Sequence, residues 1–122
     1  MRIILFLVVT LCFATSASAQ DAAALASVRA AYAAQAKGKW DEALRLAAPA
    51  GQVAVDLIQW DRLRAGRGQF SQAIEFLHRR PDWPGLPYLR KRSEATIEVD
   101  AAPQDVIAFF SDTPPKTAKG SL

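Results

Sequence analysis

Residues 36–44 read AKGKWDEAL and residues 66–74 read GRGQFSQAI, and the two stretches are copies of one short pattern with an offset of 30 residues. Each copy has a turn glycine, an aromatic residue two positions later and an alanine three positions after that. The matched pairs are Gly38 with Gly68, Trp40 with Phe70, Ala43 with Ala73, and Leu44 with Ile74. Because glycine ends helices and small residues allow two helices to approach closely, the pattern predicts a helical-hairpin repeat.

Outward from these copies, apolar residues recur three and four positions apart, and no stretch alternates with a period of two. Glycine and proline separate the periodic segments. The sequence therefore predicts an all-α fold. The expected helices are Asp21–Ala36, Asp41–Ala48, Val53–Ala65, Ser71–Arg79, Pro87–Ile97 and one that begins near Pro103.

The order of glycine, aromatic residue and alanine is similar to that of tetratricopeptide units, whose usual period is about 34 residues. We therefore expect an irregular helical-hairpin α-solenoid, or superhelix, in which each hairpin packs against its neighbours. Residues 111–122, SDTPPKTAKGSL, resemble the entry to another helix. Residues 20–122 are thus expected to be the N-terminal part of a longer superhelical domain.

The helical spacing also predicts which side chains face a core. Asp21 is expected to cap the first helix, and Asp56 and Gln59 to lie on the polar side of the third. Asp61 and Arg64 are expected to form an ion pair at a packed interface. The residues expected to face inward are Leu25, Val28 and Tyr32; Val53, Ala54, Leu57, Ile58 and Trp60; Phe70, Ala73, Ile74 and Leu77; and Val106, Ile107 and Phe110.

The N-terminus has the three parts of a cleavable signal peptide: the charge of Arg2, an apolar run from Ile3 to Phe13, and a small-residue stretch ending at Ala19. The apolar run is about half the roughly 20 residues that a membrane span requires. We expect residues 1–19 to be removed by cleavage between Ala19 and Gln20. The mature protein is then periplasmic, with no further membrane association.

Composition excludes several classes of site from the mature chain. Cys12, the only cysteine, lies in the predicted leader, which leaves no disulfide or thiolate site. His78 is the only histidine, so no histidine metal cluster is expected, and Gly66 and Gly68 match no nucleotide-binding loop. The net charge of +3 falls to +2 without Arg2, which is too weak to indicate nucleic acid. No cofactor is expected.

Neither acidic nor aromatic residues indicate catalysis. The glutamates are expected on solvent faces or at helix starts, and the tryptophans are expected to pack between helices rather than to stack on sugars. These residues are Glu42, Glu75, Glu94 and Glu98, with Trp40, Trp60 and Trp83. The basic cluster is the one surface feature with a candidate partner, because arginines bind carboxylates well, although an ordinary solvated face explains it too. Its members are Arg79, Arg80, Arg90, Lys91 and Arg92.

Two longer stretches carry a family resemblance: Leu57–Arg90, LIQWDRLRAGRGQFSQAIEFLHRRPDWPGLPYLR, and Val106–Gly120, VIAFFSDTPPKTAKG. With the signal peptide and the GKWDEAL turn, they resemble the N-terminal superhelical region of soluble lytic murein transglycosylases. The most specific piece is Phe76-Leu77 followed by residues 81–86, PDWPGL. In that family a separate C-terminal lysozyme-like domain cleaves the glycan strand of peptidoglycan, with one glutamate as acid and then base.

The resemblance does not extend to the catalytic motif. The family's Glu-Ser pair is absent, and Ser93-Glu94 has the reverse order in a different helix. The resemblance therefore implies a non-catalytic scaffold, which alone has no glycosidase activity and which contacts peptidoglycan in the full-length enzyme. The alternative is a self-contained periplasmic module of tetratricopeptide type that binds a protein partner or self-associates.

Overall fold

The computed structural model describes the backbone of residues 2–122 and the side chains from Ala17 onward. This described part contains six α-helices, two short 3-10 helices and no β-strand, which confirms the all-α prediction. The stacking of hairpins into a superhelix stays a prediction. The helices are α1 (Arg2–Gln35), α2 (Trp40–Ala47), α3 (Gln52–Arg64), α4 (Phe70–Arg79), α5 (Leu86–Glu94) and α6 (Pro103–Phe110), with 3-10 helices at Ala48–Ala50 and Lys119–Ser121.

The first helix begins much earlier than predicted. It runs without interruption from Arg2 to Gln35, so Asp21 lies inside α1 and does not cap it. Most side chains of the predicted leader, residues 1–19, lie outside the described residues. Cleavage between Ala19 and Gln20 stays a prediction. Over the part of the chain that the structure describes, no helix combines the length and the apolar character needed to cross a membrane.

The chain divides into two compact units, one ending at Ile58, called unit 1, and one comprising Gln59–Leu122, called unit 2. In unit 1, the end of α1 packs against α2 and the 3-10 helix that follows. Alanine dominates its core, and a single methyl group lets helix backbones approach closely at little cost in side-chain entropy. The core residues are Ala31, Ala34, Ala43, Ala47, Ala54 and Ile58.

The buried face of the first helix consists mainly of alanines and differs from the predicted one. Val28 packs against the core of unit 1 as expected. Leu25 and Tyr32, however, are 50% and 41% exposed, because Ala31 and Ala34 occupy the buried side. Helical periodicity favours the large apolar residues as the buried set, whereas the packing of α1 against α2 selects the small ones.

Unit 2 has an aromatic core. Phe70 and Phe109 meet edge to face at 5.1 Å between ring centroids, and Phe76 and Trp83 do so at 5.9 Å. Edge-to-face contacts stabilise such cores beyond the area they bury. The core residues are Leu63, Phe70, Ala73, Phe76, Leu77, Leu89 and Phe109.

The two copies of the repeat take equivalent places at most positions. Trp40 and Phe70 are the first residues of α2 and α4, and Ala43 and Ala73 are fully buried. The glycines differ, because Gly38 has a left-handed φ of 72° and its counterpart Gly68 does not. In the second copy Gly66 takes that conformation, while a Cβ on Gly68 would collide with the Leu63 side chain. In the longer second turn, the left-handed conformation and the close approach therefore belong to two different glycines.

Several smaller predictions are wrong at the ends of helices and on their faces. The fifth helix ends at Glu94 rather than Ile97. In α6 the side chain of Ile107 is 71% exposed, and Phe109 is the buried residue instead. In α3, Asp56 and Gln59 are buried rather than solvent-facing, and Val53 is 57% exposed. Asp56 accepts a hydrogen bond from Gln52 Nε2 at 3.0 Å, which offsets part of the cost of burying its carboxylate.

Candidate functional site

The five basic residues predicted as a cluster lie at the end of α4 and along α5, but they do not form one site. Arg79 and Arg80 line a pocket of about 240 Å³ together with Pro81, Asp82 and Trp83. Arg90 lines a separate pocket of about 60 Å³ with His78 and Asp105 among its neighbours. We call the first of these the arginine–tryptophan pocket.

Aromatic contacts position the two arginines of the arginine–tryptophan pocket. The guanidinium carbon of Arg80 lies 5.1 Å from the centroid of the Trp83 ring. Arg79 lies 5.9 Å from the Phe76 ring and donates from Nη1 to Glu75 Oε1 at 2.9 Å. A guanidinium whose face rests on a ring keeps its N–H groups in the plane, where carboxylates bind. The Asp82 carboxylate in the same lining reduces the positive field at this pocket.

Two of the three remaining basic residues, Arg90 and Arg92, connect elements of unit 2 through hydrogen bonds. Arg90 donates from Nη1 to the Phe109 carbonyl at 2.9 Å, which ties α5 to α6. Arg92 donates from Nη2 to the Ala65 carbonyl at 3.2 Å, beside the left-handed Gly66. Lys91 is exposed on α5. Of the five predicted residues, Arg79 and Arg80 are therefore the pair that the fold brings together at a pocket.

The tryptophans of unit 2 pack as predicted. Trp60 donates its indole Nε1–H to the Pro84 carbonyl at 2.9 Å, and Trp83 meets Phe76 edge to face. Both are partly buried against the core of unit 2. The segment PDWPGL, residues 81–86, is thus held from two sides, by α3 through Trp60 and by α4 through Phe76.

Arg64 makes contacts other than those predicted. Its guanidinium carbon lies 4.3 Å from the centroid of the Trp60 ring and 5.5 Å from that of Tyr88. The expected ion pair with Asp61 stays a prediction. Trp60 is one turn before Arg64 on α3, which is the spacing at which a side chain covers its neighbour.

Glu94 has a buried, hydrogen-bonded carboxylate that the sequence did not predict. It was expected on a solvent face, but it is 2% exposed at the end of α5. Its Oε1 accepts from the Lys116 N–H at 2.8 Å, and its Oε2 accepts from Lys116 N–H, Thr117 N–H and Thr117 Oγ1–H at 3.0, 2.7 and 2.7 Å. The carboxylate thus fills a concave loop of backbone donors.

The loop that binds Glu94 leaves space for its carboxylate and is held by hydrogen bonds of its own. A Cβ on Gly120 would lie 2.6 Å from Glu94 Oε2, so only glycine leaves room for the carboxylate. The Gly120 N–H donates to Thr117 Oγ1 at 3.1 Å, and Lys119 Nζ donates to the Ala95 carbonyl at 2.8 Å. We call Lys116–Gly120 the Glu94 loop. With its oxygens engaged by four hydrogen bonds, Glu94 is placed to anchor the loop rather than to transfer a proton.

Among the described residues, no group of three or more histidine, cysteine, aspartate or glutamate side chains has the arrangement of a metal site. His78 is exposed in the last turn of α4. A positive residue is favourable at that position because it faces the carbonyl end of the helix. Comparison with family models, with curated proteins and with solved structures gives no match for this chain.

Proposed function

We propose that this chain is the exported, N-terminal scaffold segment of a peptidoglycan lytic transglycosylase, and that it contacts the glycan strand without cleaving it. The observation that carries the proposal is that the residues of the family resemblance interact with one another in unit 2. Phe76 and Trp83 are in edge-to-face contact, and Trp60 is hydrogen-bonded to Pro84. These contacts give the residues of the resemblance a common structural role in the core of unit 2.

The second resembling stretch, Val106–Gly120, supports the same proposal. Phe109 closes the aromatic core against Phe70, and the Glu94 loop at the end of the stretch is fastened to α5. Both parts of the resemblance therefore serve the stability of a helical framework. This is the role that a scaffold segment performs, because it must hold its shape while another domain performs the chemistry.

The arginine–tryptophan pocket is the surface by which the proposed scaffold contacts peptidoglycan. The polymer bears carboxylates on its muramic acid residues and stem peptides, and arginine binds carboxylates in a planar, two-pronged geometry. Arg79 and Arg80 line the 240 Å³ pocket together with Trp83, and the Trp83 ring lies 5.1 Å from the guanidinium carbon of Arg80. Binding of this kind weakens as ionic strength increases.

Sedimentation with purified peptidoglycan sacculi tests the proposal. We expect the chain to sediment with sacculi at low salt, to be released at high salt, and to liberate no soluble anhydro-muropeptides. The double variant Arg79→Gln/Arg80→Gln should bind less, because it loses both guanidinium groups of the pocket.

The matched control is Arg29→Gln/Arg45→Gln, which removes two exposed charges from α1 and α2. If the control loses as much binding as the pocket variant, net charge alone explains the interaction. Absence of wild-type binding would contradict the proposal and favour a protein-interaction module. Release of anhydro-muropeptides would contradict the non-catalytic role.

A further inference from the structure

The pocket that Arg90 lines, which we call the Arg90 pocket, has a volume of about 60 Å³ and is bounded by residues of α4, α5 and α6. A cavity needs about 10–15 Å³ of such space to hold one water molecule, so this pocket has room for roughly four to six water-sized groups. Its lining is apolar at Ile74, Leu77, Ala108 and Phe109, and polar at His78, Arg90 and Asp105. Sites for small molecules have this composition, with a few polar groups set in an apolar surface.

Arg90 is held in position and still has donors for a ligand. Its Nη1 donates to the Phe109 carbonyl at 2.9 Å, and its guanidinium carbon lies 5.2 Å from the centroid of the Phe109 ring. Nε and Nη2 have no hydrogen-bond partner among the described residues, and neither nitrogen is buried. The guanidinium is thus ordered before a ligand binds, and its remaining N–H groups are accessible to a carboxylate.

The two other polar residues of the Arg90 pocket come from different helices. His78 is in the last turn of α4, and Asp105 is in the first turn of α6. Both side chains are exposed, and neither has a polar partner in the part of the chain that the structure describes. Arg90 and Asp105 therefore line one small pocket without pairing with each other. An unpaired cation and an unpaired anion beside an apolar surface fit a ligand that carries both charges.

We propose that the Arg90 pocket binds a free α-amino acid with a small aliphatic side chain, such as alanine. The carboxylate of the ligand accepts from Arg90 and from the His78 imidazole, its ammonium donates to Asp105, and its methyl group contacts the apolar lining. A simple anion is attracted by Arg90 but repelled by Asp105, and a simple amine meets the reverse. Alanine also has about as many non-hydrogen atoms as the pocket has room for water-sized groups.

The Arg90 pocket shares no lining residue with the arginine–tryptophan pocket, so its ligand is independent of the proposed function. Titration with alanine, followed by the NMR signals of the His78 imidazole ring, tests the site. His78 is the only histidine of the chain, so its ring signals need no further assignment. The matched ligands are propionate, which lacks only the ammonium group, and ethylamine, which lacks only the carboxylate. At constant pH and ionic strength, we expect a saturable shift with alanine and binding about tenfold weaker or less with either matched ligand.

Asp105→Asn is the principal variant, because it keeps the size of the side chain and removes a charge that has no partner to lose. It should weaken alanine binding about tenfold and strengthen propionate binding, a reversal that a merely structural role of Asp105 does not produce. Asp112→Asn makes the same exchange at an exposed position just after α6 and should bind as the wild type does. Arg90→Lys should also weaken alanine binding, and thermal unfolding shows whether the loss of its bond to Phe109 has altered the fold.

The proposal is overturned if alanine causes no saturable shift of the His78 signals, or if propionate or ethylamine binds as tightly as alanine does. It is also overturned if a folded Asp105→Asn binds alanine like the wild type, or if Asp112→Asn loses as much binding as Asp105→Asn. If Arg90→Lys does not fold, the comparison of alanine with ethylamine still tests recognition of the carboxylate.

Discussion

Replacing Phe76 with alanine is expected to lower the free energy of unfolding by about 4 kcal/mol, within the range of about 3–5 kcal/mol that is typical when a buried phenylalanine is replaced with alanine. Phe76 is fully buried in the core of unit 2, and its ring contacts Trp83 edge to face. The alanine variant therefore loses the transfer energy of the ring and leaves a cavity beside the PDWPGL segment. Because small domains are stable by only about 5–15 kcal/mol, the loss is a large share of the total.

Urea unfolding followed by tryptophan fluorescence measures this loss, because Trp83 lies against the deleted ring. Tyr32→Ala is the control, since it removes an aromatic ring from a position that is 41% exposed on α1. We expect that control to cost about 1 kcal/mol or less. If Phe76→Ala is no more costly than Tyr32→Ala, the aromatic core described for unit 2 is not what stabilises it.

Replacing Glu94 with alanine is expected to lower the free energy of unfolding by about 3 kcal/mol and to release the Glu94 loop. The variant leaves the N–H groups of Lys116 and Thr117 and the Thr117 hydroxyl without their acceptor in a part-buried site. Removing one member of a buried charged hydrogen-bond system costs more than its net contribution, because the remaining groups stay desolvated. Release of the loop limits that cost by returning the donors to water.

Two measurements check the Glu94 prediction. Urea unfolding gives the change in free energy, and limited trypsin digestion reports on Lys116 and Lys119, which become accessible once the loop detaches. Glu98→Ala, at an exposed glutamate four positions along the chain, should change stability by no more than about 0.5 kcal/mol and leave the digestion unchanged. Unaltered cleavage at Lys116 and Lys119 in Glu94→Ala would show that the carboxylate does not anchor the loop.

The sequence predicts the helices well where local chemistry decides them. In α4, Phe70, Ala73 and Leu77 recur at helical spacing, and all three are buried as expected. Pro87 lies in the first turn of α5, where its missing N–H costs nothing. These features depend on residues a few positions apart, so a single stretch of sequence contains the information.

Other features depend on distant partners and could not be predicted. In the sequence, Glu94 is indistinguishable from an exposed helical glutamate. The backbone donors that bind it belong to the Glu94 loop, more than twenty residues later in the chain. The burial of Ala31 in place of Leu25 follows from how closely α2 approaches α1, which periodicity does not report. Burial is a property of the assembled unit rather than of the helix that contributes the residue.

The candidate site was predictable only in part. A run of basic residues from Arg79 to Arg92 marks the right region, yet Arg90 and Arg92 are bonded to backbone carbonyls of other elements. For Arg64, the aspartate three positions earlier led to the prediction of an ion pair and gave no sign of the ring contacts. The Trp60 and Tyr88 rings that surround Arg64 come from α3 and α5, and only the fold brings them together.

The most direct test of the scaffold proposal is the N-terminal sequence and intact mass of the natural protein, recovered from the periplasmic fraction of the organism that encodes it. If the scaffold proposal is right, we expect a protein that begins at Gln20 and whose chain also contains a lysozyme-like domain with a Glu-Ser pair. A protein that retains Met1 and stays in the cytoplasmic fraction, or a periplasmic product without such a domain, would contradict it.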